Sequence, residues 1–411
     1  PYQYYRDQHG GQGPRRVLVL GAGTGNDVHI ALANGAEQVV AVEIDPEILR
    51  LGKDLNKARP YDDPRVRTVV TDARQFVGST DETFDLIVIG TLDSQTLLSG
   101  QANLRLENYV YTVESFASMR SRLAKGGMVA AYYSVFKPWL FGRIYATVAR
   151  AFDGQLRLLS SENAFLFNSL VLAAVDLPGF APDPAQQREY AAAIPATDDW
   201  PFNYLQEPTI ATIYQYLGAV LLLLVALSGL LVRKLFPGTG GHLDFLLLGL
   251  GFTLVESAAI VRMALLFGST WVVHIVVFLT VLVMVFLANR MVIMGKAPSL
   301  RLAWPGVFVG IACNAIVPLE SLLVLPSLLR ALAAALLVGI PVYCASVCFS
   351  RLFAKSPDVG GAFGMNLVGL MAGGMCEYVS MVIGMRGVWW VAAAVYLAAL
   401  LCSRRRGALA V

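Results

Sequence analysis

Charge is scarce in this chain: 15% of its 411 residues are Asp, Glu, Lys or Arg, where a water-soluble protein carries about 25%. The shortage is uneven. Residues 1–210 hold most of the charge and alternate apolar strand patterns with helical ones, while residues 213–403 are almost continuously apolar. This excludes a single soluble globule and points to a water-soluble α/β unit followed by a polytopic membrane unit. Histidine and cysteine are few, four and five. All five cysteines (Cys313, Cys344, Cys348, Cys376, Cys402) fall in the apolar half. None has zinc-like spacing with histidines, so they read as small packing residues and no metal site is expected. The net charge of +3 comes without a basic run interleaved with aromatics, which argues against a nucleic-acid partner. No signal peptide is visible. The chain opens at Pro1 without a methionine, which reads as a fragment, a processed form or the ordered part of something longer.

What is present centres on Val17-Leu18-Val19-Leu20-Gly21-Ala22-Gly23-Thr24-Gly25-Asn26-Asp27. Four apolar residues make a short buried strand, and three glycines at alternate positions turn the chain. Asn26-Asp27 can then cap a helix running through 28–32. Strand, glycine turn and helix start let backbone N–H groups approach a ligand closely. Eighteen residues past Gly25, a second strand (38–42) ends in Glu43-Ile44-Asp45. An acid at that distance is where a nucleotide ribose is gripped through its hydroxyls.

The rest of the soluble half continues the alternation. Pro46 opens a helix over 46–57 at its favoured first position. Residues 65–70 read as a third strand that ends at Thr71-Asp72-Ala73-Arg74. Asp72 can accept from an adenine amino group or simply cap the next helix. Asp85-Leu86-Ile87-Val88-Ile89-Gly90 reads as a fourth strand buried on both faces. The loop 91–108 follows at the carboxyl end of the sheet, where open α/β folds bind ligands. It is long and polar, carrying Asp93, Ser94, Gln95, Glu107 and Asn108, and loops of that length are usually functional or disordered. A helix over 109–123, a stop at Lys125-Gly126-Gly127, a fifth strand over 128–133, a helix over 138–152 and an antiparallel pair (155–159 and 167–175) complete a seven-stranded, mostly parallel, methyltransferase-type Rossmann-like fold.

Gly21-x-Gly23-x-Gly25, Val42-Glu43-Ile44-Asp45, Asp72-Ala73-Arg74, the Asp85 strand, Tyr111-Thr112-x-Glu114-x-Phe116 and Leu123-x-x-Gly126-Gly127 resemble the spermidine synthase (polyamine aminopropyltransferase) family over roughly residues 15–175. The tail Thr197-Asp198-Asp199-Trp200-Pro201-Phe202-x-Tyr204-Leu205, with the helices beyond it, resembles a narrower group, the bacterial membrane-embedded spermidine synthase-like proteins. The resemblance implies S-adenosylmethionine or decarboxylated S-adenosylmethionine as donor, with Glu43 on the ribose and Asp72 on the adenine. Gly21, Gly23, Gly25 and Asp27 complete the expected cofactor-binding set. It also implies a substrate loop holding Asp93, Ser94, Gln95, Glu107 and Tyr111. Soluble members carry an Asp directly after the fourth strand as the base that frees the attacking amine; here that position is Gly90. Asp93 matches the second acid of that motif, which binds the amine, and is the remaining candidate for catalysis together with Glu107. The family's N-terminal β-hairpin domain has no counterpart in residues 1–14.

In the apolar half, seven runs at about 212–232, 244–267, 271–289, 302–319, 328–350, 362–385 and 387–403 each approach the roughly 20 residues a spanning helix needs. Arg233-Lys234, then Arg290, Lys296 and Arg301, then Arg351 and Lys355, then Arg404-Arg405-Arg406 alternate with nearly uncharged segments. The positive-inside rule puts those clusters in the cytoplasm, and seven spans then place the Rossmann-like unit outside. An adenosyl-donor enzyme belongs in the cytoplasm, where its donor is made. The two arguments conflict unless 212–232 lies in the interface or re-enters. Glu256, Arg262 and Glu377 sit inside the apolar runs, where an ionisable group costs about 2.5–3.5 kcal/mol and so pairs or faces a polar cavity. Glu256 and Arg262 are six apart and do not share a face; Arg262–Glu377 is one pairing. Gly369 and Gly373, four apart, mark a close helix–helix contact. No internal repeat is strong enough to indicate a transporter fold.

These readings divide the chain into a lead-in (1–14), a Rossmann-like domain (15–180), a linker with the Thr-Asp-Asp-Trp-Pro-Phe motif (181–211), a transmembrane domain of about seven helices (212–404) and a basic tail (405–411). The expected protein is a multi-pass bacterial inner-membrane transferase acting on an amine or lipid-like acceptor. Its expected partners are the lipid bilayer and a small adenosyl ligand. The alternative is a non-catalytic spermidine synthase-like subunit associated with other membrane subunits.

Overall fold

The computed structural model describes residues 1–90, 92, 106–135, 137–163, 166–237, 242–268, 271–323 and 325–406. One compact unit is built on Pro1–Glu207 and a second on Pro208–Leu266 and Trp271–Val411.

The first unit holds a seven-stranded sheet. Its strands are β1 (Arg16–Leu20), β2 (Gln38–Glu43), β3 (Val66–Val70), β4 (Phe84–Ile89), β5 (Leu123–Val135), β6 (Leu156–Asn163) and β7 (Leu166–Ala174). The order is β3-β2-β1-β4-β5-β7-β6. The first five are parallel, and β7 runs antiparallel to both β5 and β6. Alternation along each strand sorts its side chains onto two faces. Leu18, Leu20, Ile87, Ile89, Val129 and Ala131 pack on one face with Phe76, Phe116, Met119 and Val148. Val17, Val19, Leu86, Val88, Met128 and Ala130 pack on the other with Val28, Ala31 and Leu49. Both faces are covered, which is why these strands read as unbroken apolar runs.

Helices α2 (Asn26–Ala33), α3 (Pro46–Leu55), α4 (Ala73–Ser79), α5 (Val113–Ser121) and α6 (Pro138–Ala151) make the crossovers. Three expectations change here. The lead-in is structured: α1 (Tyr2–Gln8) buries Tyr2 and Tyr5 in the second face of the core. The fifth strand starts at Leu123 rather than 128. Gly126 (φ +76°) and Gly127 absorb a register shift there, and a Cβ at 127 would stand 2.8 Å from the Phe84 carbonyl oxygen.

The stretch expected to be a linker is also part of this unit as far as Glu207. It carries α7 (Pro184–Glu189), and Ala196, Trp200, Phe202, Asn203 and Leu205 are buried. Arg143 of α6, 3% exposed, organises it. Its guanidinium donates to the carbonyls of Ile194 (2.9 Å), Phe202 (2.7 Å), Gln206 (2.9 Å) and Leu205, and lies 4.6 Å from the Trp200 ring centroid. Five guanidinium donors in a fixed fork suit several main-chain acceptors at once. Asp198 ties the same stretch to α4 and α5: Arg74 donates to it at 2.9 Å and the Thr112 hydroxyl at 2.6 Å.

The second unit contains α8 (Thr212–Leu235), α9 (Leu243–Phe267), α10 (Trp271–Ile293), α11 (Leu300–Ile316), α12 (Glu320–Leu323), α13 (Ser327–Ala354), α14 (Val359–Cys376) and α15 (Ser380–Arg405). Five stretches are long and apolar enough to cross a membrane by length and composition: Thr212–Leu235, Leu243–Phe267, Val272–Ile293, Leu328–Ala354 and Val359–Arg405. The last joins α14 to α15 through a 3-10 turn at Glu377–Val379, and Gly384 (φ 78°) kinks α15. Leu300–Ile316 is shorter. The glycine pair does make a close contact. A Cβ at Gly369 would stand 2.0 Å from the Leu246 carbonyl oxygen, and one at Gly373 2.6 Å from that of Leu250.

The charges within the apolar helices behave differently from the expected pairing. Arg262 donates to the Val317 carbonyl at the end of α11. Among the described residues Glu377 forms no ion pair with it, nor does Glu256. The observed ion pairs of this unit sit where helix ends meet. Arg406 lies 2.8 Å from Asp244, which is 1% exposed, and its guanidinium is 3.0 Å from His242 Nδ1; His242 Nε2 is 3.5 Å from Asp358, the N-cap of α14. Arg406 therefore belongs to this cluster and not to a free basic tail.

Two outcomes follow. Arg143→Ala leaves several buried carbonyls without donors and is expected to destabilise the first unit by about 3 kcal/mol or more, with early proteolytic cleavage in 181–206; wild-type melting and cleavage would contradict this assignment. Gly369→Val is expected to lower the detergent melting temperature by several degrees. Gly374→Val, at a position with nothing within 4 Å, serves as the neutral control.

Candidate adenosyl-binding site

The carboxyl ends of β1, β2, β3 and β4 lie side by side, and each delivers one piece of the site. After β1 the chain turns on Gly21, Gly23 and Gly25, with φ of 69°, 54° and 95°. This is the left-handed region where a side chain is strained. A Cβ would also press on neighbouring side chains at two of them. A Cβ at Gly21 would lie 1.6 Å from Leu92 Cδ2, and one at Gly25 2.6 Å from Pro60 Cγ. Gly23 is different: its nearest foreign atom would be the Gly21 carbonyl oxygen at 3.9 Å. The turn therefore exposes a bare stretch of backbone at Gly23.

Glu43 ends β2 and is 6% exposed. Its Oε2 accepts from the Gly23 N–H at 2.8 Å, and its Oε1 from the N–H groups of Ile44 (2.9 Å) and Asp45 (3.0 Å). A carboxylate has about four acceptor directions, so three backbone donors fix it and leave capacity for a ligand hydroxyl. Ile44, 42% exposed, presents an apolar surface beside it. Asp72 lies two residues past the end of β3 and is 5% exposed. It is the N-cap of α4, accepting from Gln75 N–H at 2.9 Å, so the plain capping role is realised at the place where an adenine contact is expected.

Gly90 ends β4, and its carbonyl accepts from the Tyr111 hydroxyl at 3.3 Å. The same hydroxyl accepts from Leu92 N–H at 3.0 Å. Tyr111 thus pins the start of the loop. Asp93, Ser94 and Gln95 lie outside the described residues, as does the side chain of Glu107. Asp27, in the first turn of α2, places Oδ2 3.2 Å from where a Cβ of residue 90 would stand. Partial burial pushes its carboxyl above the ordinary aspartate range.

Two residues not singled out from sequence hold the turn. The Tyr61 hydroxyl donates toward the carbonyls of Gly23 (2.8 Å) and Ala22 (3.1 Å), and Asn56 Nδ2 donates to the Thr24 carbonyl at 2.8 Å. Both sit between β2 and β3, where only turn residues mark the sequence. The Tyr-Asp pair preceding Asp63-Pro64 carries no signal for the glycine turn 38 residues earlier. Among the described residues no group of histidine, cysteine and carboxylate side chains could hold a metal.

A doubly covered sheet in this order, with a glycine turn and acids ending β2 and β3, defines a methyltransferase-type Rossmann-like domain. Residues 8–151 match the Spermine/spermidine synthase domain family, so the first unit is similar to that family over this stretch. The polyamine aminopropyltransferase of Mycobacterium tuberculosis is 33% identical over 149 residues, covering 34% of this chain and 27% of that protein. The polyamine aminopropyltransferase of Korarchaeum cryptofilum is 27% identical over 146 residues, 34% of this chain and 43% of that protein. The chain thus spans less than half the length of either relative. Among solved structures, Thermotoga maritima spermidine synthase aligns with a TM-score of 0.35 at 18% identity, covering 46% of this chain and 65% of that one. Human methyltransferase-like protein 13 in complex with SAH aligns with a TM-score of 0.33 at 17% identity, covering 44% and 80%.

If Tyr61 is what holds the turn, Tyr61→Phe is expected to cost about 1 kcal/mol of stability and to speed amide exchange at Gly23 and Gly25. Unchanged exchange at those amides would show that the turn stands without the hydroxyl.

Proposed function

We propose that the first unit binds an adenosyl sulfonium, S-adenosylmethionine or its decarboxylated form, and passes one of the sulfonium's carbon substituents to an amine or lipid-like acceptor within a membrane-integrated chain. The observation that carries this reading is the Glu43 carboxylate, held by three backbone N–H groups over a turn that is bare at Gly23. Fixed before a ligand arrives, it costs little further ordering when ribose hydroxyls bind. Asp72 stands at the adjacent strand end for the purine amino group, and Ile44 offers an apolar surface for its ring. The sulfonium is already a good leaving group, so positioning of donor and acceptor supplies most of the rate.

The five apolar helical stretches support residence in a bilayer as a multi-pass protein of a bacterial inner membrane. We place the first unit on the cytoplasmic side because the donor is made there; this requires 212–235 to lie in the interface or re-enter. A second reading, a non-catalytic subunit of a membrane assembly, is favoured by one observation: the position that delivers the base in soluble relatives is Gly90, which has no side chain.

Calorimetry on the full chain in detergent separates these readings. The wild type is expected to bind S-adenosylmethionine and the uncharged analogue 5′-methylthioadenosine. Glu43→Ala is expected to weaken both by roughly 10- to 100-fold, the worth of a charge-assisted hydrogen bond. Equal affinities would remove Glu43 from the site, and no binding by the wild type would leave the non-catalytic reading in first place.

A further inference from the structure

Asp27 is an acid at a ligand site that the fold does not use. Among the described residues it makes no hydrogen bond and no ion pair. Its place at the start of α2 favours an anion, yet a helix-end acid needs only to face solvent there, and this one is drawn inward. One oxygen stands 3.2 Å from the Cβ position of residue 90, within the volume that an aspartate at 90 would fill. Burial first and the Asp27 carboxylate second push the Tyr132 hydroxyl of β5 up to about 12; at Tyr2 of α1 and Tyr61 of the 3-10 turn Pro60–Asp62 burial dominates and Asp27 adds in the same direction. Tyr2 is 6% exposed and its hydroxyl has no partner among the described residues. Among the described residues no cation pairs with this carboxylate, and a carboxylate so placed is the chemistry that recognises an organic cation.

We infer that Asp27 supplies from the helix the carboxylate that β4 lacks at Gly90, binding the ammonium of an amine acceptor and taking its proton. This rests on the adenosyl-transferase reading and adds the residue that serves as its base. The step balances without a further reactant. The ammonium R–NH3+ gives a proton to the Asp27 carboxylate and becomes R–NH2. Its lone pair forms a bond to a carbon on the sulfonium sulfur, and the C–S pair returns to sulfur, leaving a neutral thioether and a secondary ammonium. Asp27 then releases its proton to water. Partial burial raises the proton affinity of Asp27, the direction a base of this kind requires.

The arrangement also changes what Gly90 means. An aspartate placed there would set a second carboxylate against the first, and two such groups cannot both ionise freely. Moving the carboxylate, rather than adding one, is the informative substitution.

The experiment uses the full chain in detergent, with 5′-methylthioadenosine as the uncharged adenosyl probe and putrescine as the amine probe, titrated into wild type, Asp27→Asn, Gly90→Asp and the Asp27→Asn/Gly90→Asp double variant. The adenosyl probe is expected to bind all four within about threefold. Putrescine is expected to bind the adenosyl-loaded wild type, to weaken by roughly tenfold or more in Asp27→Asn, and to recover in the double variant but not improve in Gly90→Asp. Loss of 5′-methylthioadenosine binding in Asp27→Asn would make Asp27 an adenosyl-site residue and overturn the inference. So would equal putrescine affinity in wild type and Asp27→Asn, or a wild type that binds the adenosyl probe and no amine. A wild type that binds neither probe defeats the transferase reading itself, which keeps the two failures distinguishable.

Discussion

The hydrogen bond from Gly23 N–H to Glu43 is the constraint on which the site depends. It joins the turn after β1 to the end of β2, so the two structural parts that a nucleoside would span are fixed relative to each other by the protein. Three left-handed glycines are strained conformations for any other residue, and they need something to hold them. Tyr61 and Asn56 bond the turn's carbonyls from one side, and Glu43 takes an amide from the other. With both kinds of backbone group engaged, the turn keeps a single shape. Its one unencumbered position, Gly23, is left facing outward. A site assembled this way carries its cost in the folded chain rather than at the moment of binding.

What could be read from the sequence was what has a period or a fixed spacing. Val17 to Leu20 and Leu86 to Ile89 are continuous apolar runs because both sheet faces are covered, and that pattern is visible without coordinates. The glycine turn and Glu43 are separated by a spacing that the βαβ unit imposes. Asp72 could be read two ways, and the fold realises the cap, a role that does not exclude the other. The parts that were not legible are bonds between side chains and distant main chain. Arg143 reaches carbonyls 51 to 63 residues away, and nothing in the residues 194 to 206 announces that their carbonyls need a donor. Arg74 and Asp198 are 124 residues apart. For that reason the Thr197-Asp198-Asp199-Trp200 stretch was recognisable as a motif while its structural work, closing the edge of the first unit, was not.

The same distinction governs the apolar half. The glycine pair at 369 and 373 announces a close contact through its spacing, and the contact exists against α9. The charges do not announce their partners. Arg262 donates to the Val317 carbonyl at a helix end, an acceptor every helix offers and no sequence pattern marks. Asp244 finds Arg406, 162 positions on, because the N-terminus of α9 and the C-terminus of α15 meet. The last carbonyls of a helix have no intrahelical donor, so they are open to a cation such as a guanidinium. Pairing opposite charges by sequence alone therefore overlooks the more numerous acceptor.

Gly90 shows how a missing side chain can be misread when a strand is considered by itself. The end of β4 is buried, and Asp27 already occupies the direction in which a side chain would project. Gly90 without a side chain and Asp27 on α2, which has no partner among the described residues, stand next to each other. Either residue alone suggests a degenerate site; together they describe a carboxylate of the same location that arrives from a different element. Catalytic geometry is defined by where the reactive atoms stand and not by which strand carries them, so a glycine at 90 does not by itself decide whether a site of this kind holds a carboxylate there.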